Sequence, residues 1–188
     1  MRPLALLVAG LALAVPAHGA SFVLAGPERQ AALLLGQRSV TQESFGSEWR
    51  IVNGSGESVD VITPFHRIAL AARHAAFKNE PLKPQDQDRM LQDLKDRLMF
   101  AVQLVGSSPD FARHYKPRLL LATGAEVQPV IAQHDHTALR RPDGRYLANG
   151  TYWFPTKDLS NTSRVTLVVR DPDGEAVARF VVDLARMR

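Results

Sequence analysis

The chain contains no cysteine. Disulfides, thiolate nucleophiles and thiolate metal ligands are therefore excluded, and stability has to come from packing alone. Long apolar runs are scarce too. The longest, residues 4–15, falls short of the roughly 20 residues that cross a bilayer. No block of one charge sign occurs. The 23 Lys and Arg are scattered among 19 Asp and Glu, giving a formal charge of +4. That distribution reads as a solvated surface and argues against nucleic acid as a partner. The signatures of P-loop and dinucleotide binding, of H-E-x-x-H zinc proteases and of the G-x-S-x-G nucleophile elbow are all missing. What their absence leaves open is a site assembled from residues distant in the chain.

What is present begins with an address. Met1-Arg2-Pro3 supplies a positive charge, residues 4–15 an apolar stretch, and Ala17-His18-Gly19-Ala20 the small residues of a processing site. This order reads as a cleavable secretory signal over residues 1–20, and the expected location is periplasmic or secreted. Cleavage after Ala17, Gly19 or Ala20 fits the small-residue requirement, and the sequence reading favours Ala20. The remainder, 21–188, is expected to form a single β-rich domain with no membrane span. Cysteine-free export suits a bacterial envelope better than a small disulfide-stapled secreted protein. Asn-x-Ser/Thr triplets at Asn53, Asn149 and Asn161 lie beside Gly or Ser and are read as turns.

The run Ala31–Leu35 is too short for its periodicity to separate helix from strand. Residues 48–52 and 58–63 alternate around Asn53-Gly54-Ser55-Gly56, which predicts a hairpin. Thr63 as N-cap, Pro64 at the first turn and one apolar arc (Phe65, Ile68, Ala69, Ala72, Ala75, Ala76) predict a helix near 64–78. A second helix is expected near 85–97, where Met90, Leu91, Leu94 and Leu98 share a side, although alternation from Leu98 onward also fits a strand. From there, short strands are predicted at 118–123, 126–134, 145–148, 151–154, 164–170 and 176–184, punctuated by turns at Gly124, Asn149-Gly150 and Asp171-Pro172-Asp173-Gly174. The fold class is accordingly mainly β with a helical insertion (α+β). The strand rhythm resembles that of a small immunoglobulin-like β-sandwich flanked by two helices.

Four groups of residues carry candidate chemistry. In a strand, His134 and His136 would project to one side and offer two imidazoles to a zinc or copper ion, with His66, His74, His114 or a carboxylate completing the set. The alternative is a polar strand end, and no cofactor is otherwise expected. His66 and His74 stand about 80° apart on the first predicted helix. They read as surface or boundary histidines, or as the frame of a groove with Arg67 or Arg73. Arg140, Arg141 and Arg145 lie close in sequence to Tyr152 and Trp153, a combination that stacks planar ligands or anchors an interface. In a strand, Tyr152 and Phe154 would point inward and Trp153 outward. Asp171–Glu175 resembles the start of a calcium loop without its later ligands, and a hairpin turn is sufficient there. The functional expectation is a non-enzymatic envelope interaction module binding another envelope protein or a small ligand. A metal-binding protein using the His-x-His pair and a hydrolase with a dispersed site are the alternatives.

Overall fold

Most of the regular structure in residues 19–188, the span described by this computed structural model, is strand. The leader expected over 1–20 lies outside those residues apart from Gly19 and Ala20. The expected hairpin forms: β1 (Arg50–Val52) pairs antiparallel with β2 (Ser58–Ile62) around the Asn53–Gly56 turn. Asn53 closes that turn by accepting the backbone N–H of Ser55 and Glu57 on its side chain, each at 3.0 Å. β1 starts at Arg50, so Trp49 precedes the strand and packs into the core instead of lying along it.

Three α-helices lie among the described residues, where two were expected. The ambiguous Ala31–Leu35 run belongs to α1 (Gly26–Arg38), which opens with Pro27 in its first turn and Glu28 accepting the Ala25 N–H at 2.9 Å. α2 (Pro64–Phe77) has the predicted cap, the Thr63 hydroxyl accepting the His66 N–H at 3.1 Å. Its alanine face meets α1 closely. A Cβ at Gly36 of α1 would collide with the Ala69 carbonyl and Ala72 of α2. α3 (Pro84–Asp93) ends four residues before the expected limit at 97. Asp96 takes a left-handed backbone, φ 58°, which turns the chain, and Arg97 already belongs to β3 (Arg97–Gly106). Leu98, Phe100, Val102 and Leu104 alternate inward along β3 and are buried.

The remaining strands are β4 (Lys116–Leu120), β5 (Glu126–Val127), β6 (Ile131–His134), β7 (Leu139–Arg140), β8 (Tyr146–Pro155), β9 (Arg164–Arg170) and β10 (Ala176–Asp183). The expected strand 126–134 is two strands in different sheets. Pro129 lies between them, and without an N–H it cannot continue the ladder. The reverse happens at Asn149-Gly150, expected as a turn but lying inside the unbroken ten-residue β8. Glycine is required there for space: a Cβ on Gly150 would stand 2.9 Å from Val102 and 3.0 Å from the Tyr152 hydroxyl. One sheet runs β1-β2-β3-β8-β6, with β7 also paired to β8. The other runs β10-β9-β4-β5, and every pair is antiparallel. Their inner faces share one core, Phe100 and Phe154 from the first meeting Leu167 and Phe180 from the second. Burying each such side chain contributes roughly 1.5–3 kcal/mol. None of the helices among the described residues is long and apolar enough to cross a membrane.

Candidate binding groove

Antiparallel register decides what lies on the outer face of the first sheet. Ile62 stands opposite Met99, Met99 opposite Trp153, and Trp153 opposite Ile131. The four form one apolar row across four strands, about 14 Å long at the usual strand spacing. The neighbouring row carries polar groups around Ala101: Asp60, Thr151 and Gln133, extended by Arg50. Arg50 holds Asp60 through two parallel bonds of 2.9 Å, so that carboxylate is already neutralised.

Two hollows open along this face. One, of about 460 Å³, lies between the sheet, α2 and the loop 43–47, and is lined by Phe45, Ile62, His66 and Leu70 among others. The second, of about 540 Å³, runs from the end of α3 past Lys95 and Arg97 to Trp153. Arg67 and Met99 line both, which joins them into one groove. The side chains of Arg67, Lys95 and Arg97 have no hydrogen-bond or ion-pair partner among the described residues. Arg73, by contrast, is used by the fold: it donates to the carbonyls of Ser39, Val40 and Gln42 at the end of α1 and lies 4.8 Å over the Phe45 ring.

His66 gives the groove its most specific feature. The ring stacks on Trp49 at 4.2 Å and 3°, and only 4% of the residue is exposed. Trp49 is itself fixed, its Nε1 donating to the Arg188 carbonyl at 2.9 Å. Nδ1 of His66 lies 2.9 Å from the Val61 carbonyl. A carbonyl only accepts, so Nδ1 carries the proton and Nε2 holds the lone pair. Burial pushes the imidazole below its ordinary value of 6.5, against the opposing pull of Asp60 and Glu48. The ring is therefore neutral at physiological pH. Nε2 has no partner among the described residues, while no fully buried side-chain nitrogen or oxygen there is left without one. Nε2 is thus not fully enclosed, and His66 is one of the residues that line the groove.

The expected sites distribute differently. The strand premise behind the metal pair does not hold, because β6 ends at His134 and His136 lies in the bend beyond it. His134 Nε2 is 2.7 Å from the Tyr152 hydroxyl. Burial pushes the Tyr152 phenol up, so it stays protonated and donates to a His134 that burial keeps below its ordinary value. His114, His134, Asp135 and His136 share one shallow hollow of about 470 Å³. Among the described residues no group of three or more His, Cys, Asp or Glu is placed to hold a metal ion. His66 is buried, because the loop 43–49 folds over it, where a surface or boundary histidine or the frame of a groove was expected; His74 is exposed.

The arginine and aromatic cluster is split along one strand. Arg141 and Arg145 both reach Asp143, at 3.6 and 3.1 Å, in the turn between β7 and β8, and Arg140 lies exposed on β7. The Arg145 backbone N–H, more than either guanidinium, holds the Asp143 carboxyl below its usual range. Trp153 is eight residues away, about 26 Å along β8. Tyr152 and Phe154 point inward and are fully buried, as the alternation predicted, with Trp153 on the outer face. The alternation therefore placed Trp153 on the outer face, but nothing in the sequence shows that it shares a groove with Arg67.

No protein-family model matches the chain, and no curated protein matches it. Among solved structures it is similar to a crystallised novel protein of unknown function from Burkholderia pseudomallei. The identity is 10%, 85% of this chain and 86% of that one are covered, and the TM-score is 0.44.

Proposed function

We propose that this chain is an exported, non-enzymatic binding module of the cell envelope, periplasmic or secreted, which seats another envelope protein in the groove between α2 and the first sheet. The observation that carries the reading is His66 Nε2, the unpartnered acceptor of a ring otherwise enclosed by Trp49 and the Val61 carbonyl. A fold spends an anchored, neutral acceptor at a groove to receive an N–H or O–H donor. Arg67, Lys95 and Arg97 add an anion-binding flank, and Met99 and Trp153 an apolar floor. Trp, Met and Arg are the residue types enriched where protein partners bury surface. The partner segment that fits presents a backbone or hydroxyl donor beside a carboxylate and an apolar side chain. The two sheets sharing one core are read as an immunoglobulin-like sandwich, and the leader sequence supports the envelope location.

The test places a photo-crosslinking amino acid at Met99 and, as a control, at Leu139, which is 66% exposed on β7. The expected result is one dominant adduct in the intact cell envelope from the Met99 position and none from Leu139. Arg67→Glu and Trp153→Ala each weaken capture tenfold or more, as hot-spot losses do, while Arg145→Ala leaves it unchanged. Equal capture from both positions, or capture indifferent to Arg67 and Trp153, sinks the placement.

A further inference from the structure

Gly19 and Ala20, the last two residues of the expected leader, are built into the fold. Ala20 has no exposed surface and belongs to the main core. Its N–H donates to the carbonyl of Leu184 at 2.8 Å, and Leu184 is itself fully buried. Without Ala20 that carbonyl keeps only the longer bond from the Met187 N–H, at 3.3 Å. Gly19 runs so close to the Asn161 carbonyl that any Cβ there would collide with it. The pair acts as a plug across the end of the second sheet, beside the turn that follows β10.

Each bond offered by the sequence can be judged against this packing. Cleavage after Ala20 removes the plug, and it places His18, a large polar ring, at the third position before the bond, where small residues are required. Cleavage after Gly19 satisfies that rule but leaves the new charged amine on Ala20, a residue with no exposed surface and no carboxylate bonded to its nitrogen. Burying an unpaired ammonium is among the costliest outcomes open to a fold. Cleavage after Ala17 keeps Gly19 and Ala20 in place and sets the amine two residues before Ala20 in the chain. It also puts Ala17 and Val15 at the positions that must be small or compactly aliphatic.

We propose that the mature protein begins at His18, a membrane-bound signal peptidase hydrolysing the Ala17–His18 peptide bond. One water is consumed. The C–N bond breaks, the water oxygen adds to the Ala17 carbonyl carbon to give its carboxylate, and both water protons go to the His18 nitrogen, which becomes an ammonium. This inference rests on the export reading given under the proposed function. The leader is thus shorter than the sequence pattern alone favours, and Gly19-Ala20 becomes the first structural element of the mature domain.

The experiment expresses the full untagged chain in a Gram-negative host and reads the amino terminus of the periplasmic protein by intact mass and N-terminal sequencing. A single species starting at His18 is expected. A start at Ala20 or Ser21 overturns the inference and leaves export standing, whereas uncleaved chain in the cytoplasm overturns export and the inference with it. Ala20→Leu provides a second reading that does not depend on folding, because processing precedes it. A large residue directly before the scissile bond blocks a peptidase acting after Ala20, so precursor would accumulate. Unchanged pulse-labelled processing kinetics are the result expected for the Ala17 bond.

Discussion

His66 and His134 are both withdrawn from water far enough for burial to hold them below the ordinary histidine value of 6.5. They differ in which nitrogen the fold has used. At His134 the protein fills Nε2 with the Tyr152 hydroxyl, an internal bond at a half-buried strand end. At His66 it fills Nδ1 with a main-chain carbonyl and leaves Nε2 to the groove. One ring completes a structural hydrogen bond, and the other is held ready to make one. Proximity in sequence pointed to the first, and named the second only as a further metal ligand or as the frame of a groove. A His-x-His spacing is visible without a fold, whereas a histidine gains an anchored, unused nitrogen only through contacts far along the chain.

The largest expected effect separates the supports of the two rings. Trp49 carries the stacking face of His66 and bonds the Arg188 carbonyl, so Trp49→Ala removes both supports. Removing a fully buried tryptophan costs about 3–5 kcal/mol, readable as a lower urea midpoint with an unchanged slope. In the same variant the His66 imidazole titrates closer to its ordinary value, because the stacked face of the ring is opened to water. His134 should not respond. A parallel change at His134 in the NMR titration would mean that the two sites are coupled and the contrast is false.

Gly150 tests the other ring. Its absent side chain makes room for the Tyr152 hydroxyl and the His134 ring, which a Cβ would approach to 3.0 and 3.2 Å, with Val102 nearer still at 2.9 Å. Gly150→Ala therefore overpacks the core and breaks the His134–Tyr152 bond, at a cost of about 1–3 kcal/mol. Partner capture through the groove should persist in whatever fraction remains folded. Loss of capture in folded protein would tie the groove to the His134 end and undo the assignment to His66.

The elements that the sequence shows plainly are those fixed by neighbours in the chain. Thr63-Pro64 caps α2, the alternation from Leu98 to Leu104 makes β3, and Tyr152, Trp153 and Phe154 face as their period of two dictates. The misreadings have non-local causes. Asn149-Gly150 has the composition of a turn, but β3 and β6 pair on both sides of it and the glycine serves their close approach. α1 shows little amphipathic pattern because Ala32 and Gly36 bury by being small against α2, not by being apolar on one face. The groove was legible only in pieces. Trp153 reads as outward from its alternation and Arg67 as the frame of a groove beside His66, and it takes the β2–β3–β8 register to bring them to one hollow. The buried state of His66 was not legible at all, since the loop 43–49 that covers it carries no periodic signal.

The smallest effect compares the two histidines by pH. In the unfolded chain each takes up a proton near its ordinary value, while in the fold burial delays uptake to lower pH. Above that ordinary value both states are neutral and neither ring makes stability depend on pH. As pH falls below about 6.5 the unfolded state binds protons first, so stability drops, and the drop ends once the folded rings have also charged. His66 is the more deeply buried, with Asp60, Glu48 and Arg67 as its charged neighbours, and should account for more of the loss than His134, which faces Asp135. His66→Phe keeps a flat ring beside Trp49 and cannot titrate. Its stability should change less between pH 7 and pH 5 than that of the unsubstituted protein, and less than that of His134→Phe. A steeper fall for His66→Phe than for the unsubstituted protein would show that His66 is already protonated in the fold. A charged His66 has no lone pair at Nε2, so that result would remove the acceptor on which the binding groove depends.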